Sequence, residues 1–437
     1  MSLRSFLDKA KQRGQLTTVQ QELDPHLGMA RVIDTLESQP LLVEKVKGHQ
    51  YRVAAGVCGA RENFALDLGV DVRELLFTLS EALANPIRPE VVNAGPCQEV
   101  VEKEVNLDRL PILTHLPQDA GPYITAGVVI IKDPDYGRNV SIHRLLQSGP
   151  RQLVARVVEG RGTHTALEKR PDGLEVAICI GSSLPVLLAA AMSPPPEVDE
   201  FSIANALRAT PLVRCLTVDL EVPAQTEIVL EGRITRDTAP EGPFLDLTGT
   251  MDIVRQGRII EVTCITHRRD PIYQALLPGG REHKLLMGLP REPTIYAEVS
   301  RVCRCLNVLL TPGGASWLHA VVQIEKKEAD DGLRAIDAAF RGHSSLKHVV
   351  VVDDDIDIYD PNDVEWAIAT RFQAHRDLVV REDEPSSSLD PSALHIPGQK
   401  TRTTKMGLDA TIPWHTPAGT PRSAPERNAF KRTRYED

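Results

Sequence analysis

Two short stretches of this chain hold side chains able to carry acid–base chemistry. In EGPFLD, Glu241 to Asp246, two carboxylates flank a Gly-Pro turn that Phe244 can anchor. Carboxylates placed across such a turn can converge on one site, and a pair with separated pKa values is a standard route to a proton donor at neutral pH. In NVSIHR, Asn139 to Arg144, the chain sets an Arg beside a β-segment. Arg is the side chain suited to forking a carboxylate or phosphate. Taken alone, the first stretch reads more readily as a solvated acidic turn, and the second as a strand end with a surface Arg.

The surrounding pattern gives the elements that must position these groups. Residues 1–110 alternate helical and strand signals: a short helix at Ser5–Gly14, strands at 41–46 and 51–58, and an amphipathic helix at 72–84. An α/β N-terminal domain follows. Residues 107–125 are rich in breakers and read as a linker. Residues 111–295 form a central domain. Its β-branched runs at 126–133, 152–158, 174–181, 216–222, 226–234 and 258–265 suit a β-barrel or sandwich, interrupted by helix-like stretches at 183–192 and 200–209. Residues 296–437 return to α/β, with a buried strand running into an acidic turn at 346–358 and a helix at 363–372. From about 384 the composition turns to Ser, Pro and Thr, which predicts an extended, irregular C-terminal arm.

Composition excludes several classes of function. The 437 residues are 42% hydrophobic and 25% charged, as in a soluble globular protein. A formal charge of −10 argues against a nucleic-acid binder, despite basic residues between Lys400 and Arg434 that read as a solvated tail. Seven cysteines without a CxxC pair fit a reduced, cytoplasmic protein. The charged, amphipathic start carries no apolar signal segment. The longest apolar run, Leu184–Met192, falls short of the roughly 20 residues a membrane span needs.

NVSIHR resembles the Asn-x-Ser-Ile-x-Arg signature of UbiD-type decarboxylases. EGPFLD, followed by Gly249, resembles their Glu-Gly-Pro-Phe-x-Glu/Asp element. Three further stretches match in the expected order: PLVRCLTVDLEVPAQTEIVLEG (211–232), VVVVDDDIDIYDPNDVEWAIATR (349–371) and TKMGLDAT (404–411). The resemblance covers nearly the whole chain.

It implies an α+β multidomain fold whose central split β-barrel binds prenylated FMN, and a C-terminal arm that serves oligomerisation, in a homodimer or a hexamer of dimers. It assigns Asn139, His164 and Glu200 as ligands of Mn²⁺ (or Mg²⁺), an ion suited to amide oxygen, imidazole and carboxylate together. Ser141, Ile142 and Arg144 match cofactor-contacting positions. The backbone of Ala190 and Met192 matches a K⁺ site, and Lys405, with Lys400 as a nearby competitor, matches a phosphate-pairing lysine. Arg144, Glu241 and Asp246 match the catalytic trio, here with Asp as its last member, one methylene shorter than Glu. A flavin prenyltransferase is implied as supplier of the cofactor.

The segment 276–296 resembles a substrate-side element, in which His283 and Arg291 stand out. They suit a clamp for a second anionic group, as in the furan-dicarboxylate decarboxylases of this family, or for a phosphate, as in its anhydromevalonate-phosphate decarboxylases. Arg291 reads equally as a structural partner of Glu292 or of a helix end. The low aromatic content, 4%, leans the expectation to a small heteroaromatic acid of furan or pyrrole type, with anhydromevalonate 5-phosphate as the alternative. Two other readings stay open: a catalytically dead flavin-binding or assembly subunit, and an ordinary FMN oxidoreductase.

Overall fold

The longest β-branched runs of the sequence become neighbours in one antiparallel sheet. The structure, a computed structural model, describes residues 2–36, 39–396 and 399–433. The chain divides into two compact units, Met1–Leu286 and Met287–Asp437.

The first unit is built on a nine-stranded sheet. Its strands are β1 (Tyr123–Ile124), β2 (Val128–Asp133), β3 (Gly137–Ile142), β4 (Leu145–Gly149), β5 (Gln152–Ala155), β6 (Leu174–Ile180), β7 (Ile228–Glu241) and β8 (Arg255–His267). They run in the order β1-β4-β5-β8-β7-β6-β2-β3, and Val100–Val101 adds to β8. Three helices accompany the sheet: α1 (Gly162–Glu168), α2 (Leu184–Ala191) and α3 (Glu200–Leu207). Alternate residues of β2, β5, β6 and β7 bury Val129, Ile131, Leu153, Val176, Ile178, Ile228 and Leu230 in one core. The helix Leu3–Gln12 starts on a capping box between Ser2 and Ser5 and buries Leu3, Phe6, Leu7 and Ala10. A small sheet of Thr17–Val19, Leu41–Val43 and Arg52–Ala55 is completed by Ile272–Gln274, which pairs in parallel with Arg52–Ala55.

Two local expectations change. The breaker-rich stretch 107–125 packs into the core through Leu107, Leu110, Ile112 and Leu113, because its apolar residues outweigh its prolines. Residues 216–219 form a bend, and only Glu221–Pro223 is a strand. There the buried carboxylate of Glu231 accepts the N–H groups of Leu216 (2.9 Å) and Thr217 (2.6 Å), so no strand partner is needed.

The second unit is a five-stranded sheet in the order Arg304–Leu310, His319–Glu325, His348–Val352, Arg402–Asp409, Leu378–Pro385. Arg402–Asp409 thus begins inside the stretch expected to be irregular, yet lies within the sheet, parallel to His348–Val352. Residues 430–432 dock on this unit's own surface. Arg371, with no exposed side-chain surface, reaches Asp353 (3.2 Å), Asp355 (2.6 Å) and the carbonyl of Phe430 (2.9 Å). Arg432 pairs with Asp363 at 2.9 Å, and its N–H donates to Asp355. The basic tail is therefore ion-paired at Arg432; Arg434 lies outside the described residues. Among the described residues no helix is long and apolar enough to cross a membrane.

Removing one partner of a buried ion pair leaves the other uncompensated. Arg371→Ala is expected to lose about 3–5 kcal/mol of stability and to expose residues near 430 to proteolysis, both measurable by denaturant unfolding and limited digestion.

Candidate active site

β3 ends at Ile142, and Arg144 follows in the short link to β4. The link turns Arg144 inward: its side chain is 9% exposed, so it is no surface Arg. β7 ends at Glu241, which is fully buried. Gly242 follows at φ +93, where a Cβ would sit 2.8 Å from the carbonyl of Ile253, so the turn that carries Pro243 and Phe244 requires glycine.

These ends meet. Arg144 Nε donates to Glu241 Oε1 at 2.8 Å and Nη2 to Oε2 at 2.9 Å, a bidentate fork. Nη1 donates to Asp246 Oδ2 at 3.0 Å. Nη2 also donates to Asp252 Oδ2 at 2.8 Å. The guanidinium lies 4.9 Å from the centre of the Phe244 ring. Burial alone lowers the Arg144 pKa, but its bonds to Glu241 and the fields of Asp246 and Asp252 outweigh burial, and the net direction is up. Asp252 is held below the usual carboxylate range: burial opposes this, and Arg255 and Arg144 overcome it.

The structure thus brings Arg144, Glu241 and Asp246 together and adds groups that sequence reasoning missed. Tyr123 Oη donates to Glu241 Oε1 at 3.2 Å and accepts the N–H of Gly242 at 3.1 Å. Its ring packs on Phe244, with centroids 4.5 Å apart. Burial pushes the Tyr123 hydroxyl pKa up, so it stays a donor. Tyr123 fell in the stretch read as a linker, and Asp252 in a turn with no motif of its own. His283 accepts the N–H of Gly279 at Nδ1, 3.1 Å. Burial lowers its pKa most, while the field of Asp246 raises it and that of Arg144 lowers it further. His283 therefore belongs to the electrostatic surroundings of Asp246.

A second cluster lies on β3, α1 and α3. Asn139 Nδ2 donates to Glu200 Oε1 at 3.2 Å, and the N–H of Val140 donates to Glu200 Oε2 at 3.0 Å. Glu200 opens α3 and is buried, which pushes its pKa up to about 8. Asn139 Oδ1 is buried with no hydrogen-bond partner. Gly162, at the start of α1, packs so close to Asn139 that a Cβ would lie 2.8 Å from its amide. His164, two residues on, is half-buried on the same helix. An orphaned amide oxygen, a buried carboxylate and a nearby imidazole fit a divalent cation.

Next to this cluster, Ser141 Oγ and Thr163 Oγ1 contact His143 Nε2 at 3.1 and 3.0 Å, and His143 Nδ1 faces the carbonyl of Arg156 at 3.0 Å. Nδ1 thus carries the proton, and Nε2 accepts from the hydroxyls. Ile142 is half-buried at the end of β3. Ala190 and Met192 are buried at the C-terminal end of α2, where helix carbonyls carry partial negative charge.

In the second unit, Lys405 is buried; its Nζ donates to the carbonyl of Ser344 at 2.8 Å and lies 5.3 Å from the Phe340 ring centre. Burial lowers its pKa. Lys400 is exposed. Arg291 precedes the helix Glu292–Ser300, with its guanidinium 5.5 Å from the Trp317 ring centre. His283 and Arg291 thus fall in different units.

Comparison with known proteins gives the family of this fold and site. Residues 7–83, 90–281 and 284–410 match the N-terminal, Rift-related and C-terminal domains of 3-octaprenyl-4-hydroxybenzoate carboxy-lyase. The chain belongs to the UbiD family and is a decarboxylase of that class. It is 43% identical over 420 residues to the anhydromevalonate phosphate decarboxylase of Methanosarcina mazei, covering 94% of this chain and 96% of that one. The UbiD-class enzyme HmfF of Pelotomaculum thermopropionicum in complex with FMN superimposes with a TM-score of 0.90 at 40% identity, over 98% of each chain. An evolved dimeric form of HmfF in complex with prFMN gives 0.87 at 40% identity, over 94% of this chain and 95% of that one.

The His143 geometry has a pH signature. Burial lowers its pKa from 6.5 to about 4. The unfolded chain therefore binds a proton that the folded chain refuses, and stability present above pH 6.5 is lost as the pH falls toward 4. Thermal unfolding against pH should show this acid limb, and His143→Gln should flatten it.

Proposed function

We propose that this enzyme removes CO₂ from anhydromevalonate phosphate, a phosphorylated unsaturated acid, with prenylated FMN and a divalent metal as cofactors. The observation that carries the chemistry is the bidentate lock of Arg144 on buried Glu241, with Asp246 on the guanidinium's other side. The substrate class is supported by relatives 42–43% identical over 94% of the chain, all anhydromevalonate phosphate decarboxylases. They favour the phosphorylated acid over a furan or pyrrole acid.

Arg144 holds the substrate carboxylate at a fixed angle, because Glu241 fixes the guanidinium plane and Tyr123 fixes Glu241. Asp246 delivers the proton to the carbon that has lost CO₂, while Glu241 holds Arg144 beside it. When bound, prenylated FMN supplies the sink for the electron pair left on carbon, which no amino-acid side chain provides. Asn139, His164 and Glu200 would hold the metal; Ser141 and Ile142 would face the flavin; the carbonyls of Ala190 and Met192 would hold K⁺. The reading also requires a flavin prenyltransferase in the same cell. The protein is read as cytoplasmic and homo-oligomeric.

The test is CO₂ release by the reconstituted enzyme from anhydromevalonate phosphate, furan-2,5-dicarboxylate and pyrrole-2-carboxylate. The phosphorylated acid should be turned over with the highest kcat/KM; a clear preference for a furan or pyrrole acid would overturn the assignment. Asp246→Asn removes the titrating proton while keeping shape, so turnover should fall ~10²–10⁴-fold with the flavin still bound. Glu200→Ala should lose metal and flavin together, as read by metal analysis and the visible spectrum. A full flavin complement after chelation would contradict the metal's role.

A further inference from the structure

Asp252 is the member of the Arg144 cluster that the decarboxylation chemistry leaves without a task. It ends a two-stranded ribbon, Phe244–Leu245 with Met251–Asp252, whose strands pair only with each other. Around it, Met251, Ile253 and Val254 are exposed. Asp252 Oδ2 accepts from Arg144 Nη2 at 2.8 Å, and Oδ1 accepts from Arg255 Nη2 and from the N–H of Ile253, each at 2.9 Å.

The donor geometry of Arg144 shows what Asp252 does. A guanidinium has five N–H groups and two edges that fork a carboxylate. Glu241 fills the Nε–Nη2 edge. The Nη1–Nη2 edge is filled by one oxygen of Asp246 and one of Asp252. A substrate carboxylate reaches that edge only by displacing one of them. Asp246 is the worse candidate: its backbone closes a turn with Gly249 and Thr250, and its ion pair is with Arg144. Asp252 has a second cation already in contact.

We propose that Asp252 is a built-in stand-in for the substrate carboxylate: it holds Arg144 until the acid binds, then yields its place and passes to Arg255. This rests on the reading that Arg144 receives the substrate carboxylate. The exchange keeps every charge paired, since leaving a buried charged group without its partner is costly. The ribbon can shift without breaking the nine-stranded sheet, because it shares no strand pairing with it. The consequence is selectivity. A bare carboxylate competes poorly with Asp252, so only an acid whose remaining atoms add binding of their own displaces it.

Calorimetric titration of the full-length chain loaded with plain FMN, with anhydromevalonate phosphate as probe, tests this without turnover. Asp252→Asn should tighten binding roughly tenfold, the lower end for loss of a competing charge-assisted bond. Arg255→Gln should weaken it, because Asp252 then has Arg144 as its remaining cation. If Asp252 merely buttresses Arg144, Asp252→Asn weakens binding instead. Equal or weaker binding by Asp252→Asn, no binding by either protein, or tighter binding by Arg255→Gln overturns the proposal. Failure of the functional reading looks different: prenylated wild-type enzyme that binds the acid and releases no CO₂.

Discussion

The site depends on one interaction, the buried fork between Arg144 and Glu241. Taking both charges out of water is expensive, and a buried pair of this kind adds little net stability over an apolar replacement. Its use is geometric. Two parallel N–H···O bonds fix the plane of the guanidinium, and everything else in the cluster is arranged on that plane. Phe244 lies against its face, Tyr123 packs on Phe244 and bonds to Glu241, and the long strands β7 and β8 hold Glu241 and Arg255 opposite each other.

The charges explain why the site tolerates three carboxylates. Arg144 and Arg255 stand against Glu241, Asp246 and Asp252. An incoming acid adds a fourth negative group. One member of the proposed metal set lies on the strand that leads into Arg144. Asn139 and Ser141 both sit on β3, which ends two residues before Arg144.

Much of this was legible in the sequence. The strands β2, β6, β7 and β8 show as β-branched runs, and α2 and α3 as apolar helical stretches, because their residues are buried on regular faces. Glu241 and Asp246 announced themselves by the turn between them. Asn139, His164 and Glu200 lie on three different elements, so no spacing joins them; the family motif did. Tyr123 was hidden because prolines and glycines dominate its neighbourhood, while its burial comes from Leu146, Val154 and Phe244, distant in sequence. The strand Arg402–Asp409 was hidden for a related reason: its flanks are Thr- and Pro-rich, and its partners, His348–Val352 and Leu378–Pro385, provide the pairing that local composition does not suggest.

The measurement that tests the central claim most directly is a double-mutant cycle of Arg144→Met and Glu241→Met, read by denaturant unfolding and by turnover. Arg144→Met leaves buried Glu241 without its cation and should cost about 3–5 kcal/mol, whereas Glu241→Met leaves Arg144 with Asp246 and Asp252 and should cost less. If the pair is kept for geometry, the double variant should recover most of that stability while turning over no substrate. Additive losses of stability, or a double variant that still decarboxylates, would contradict the account.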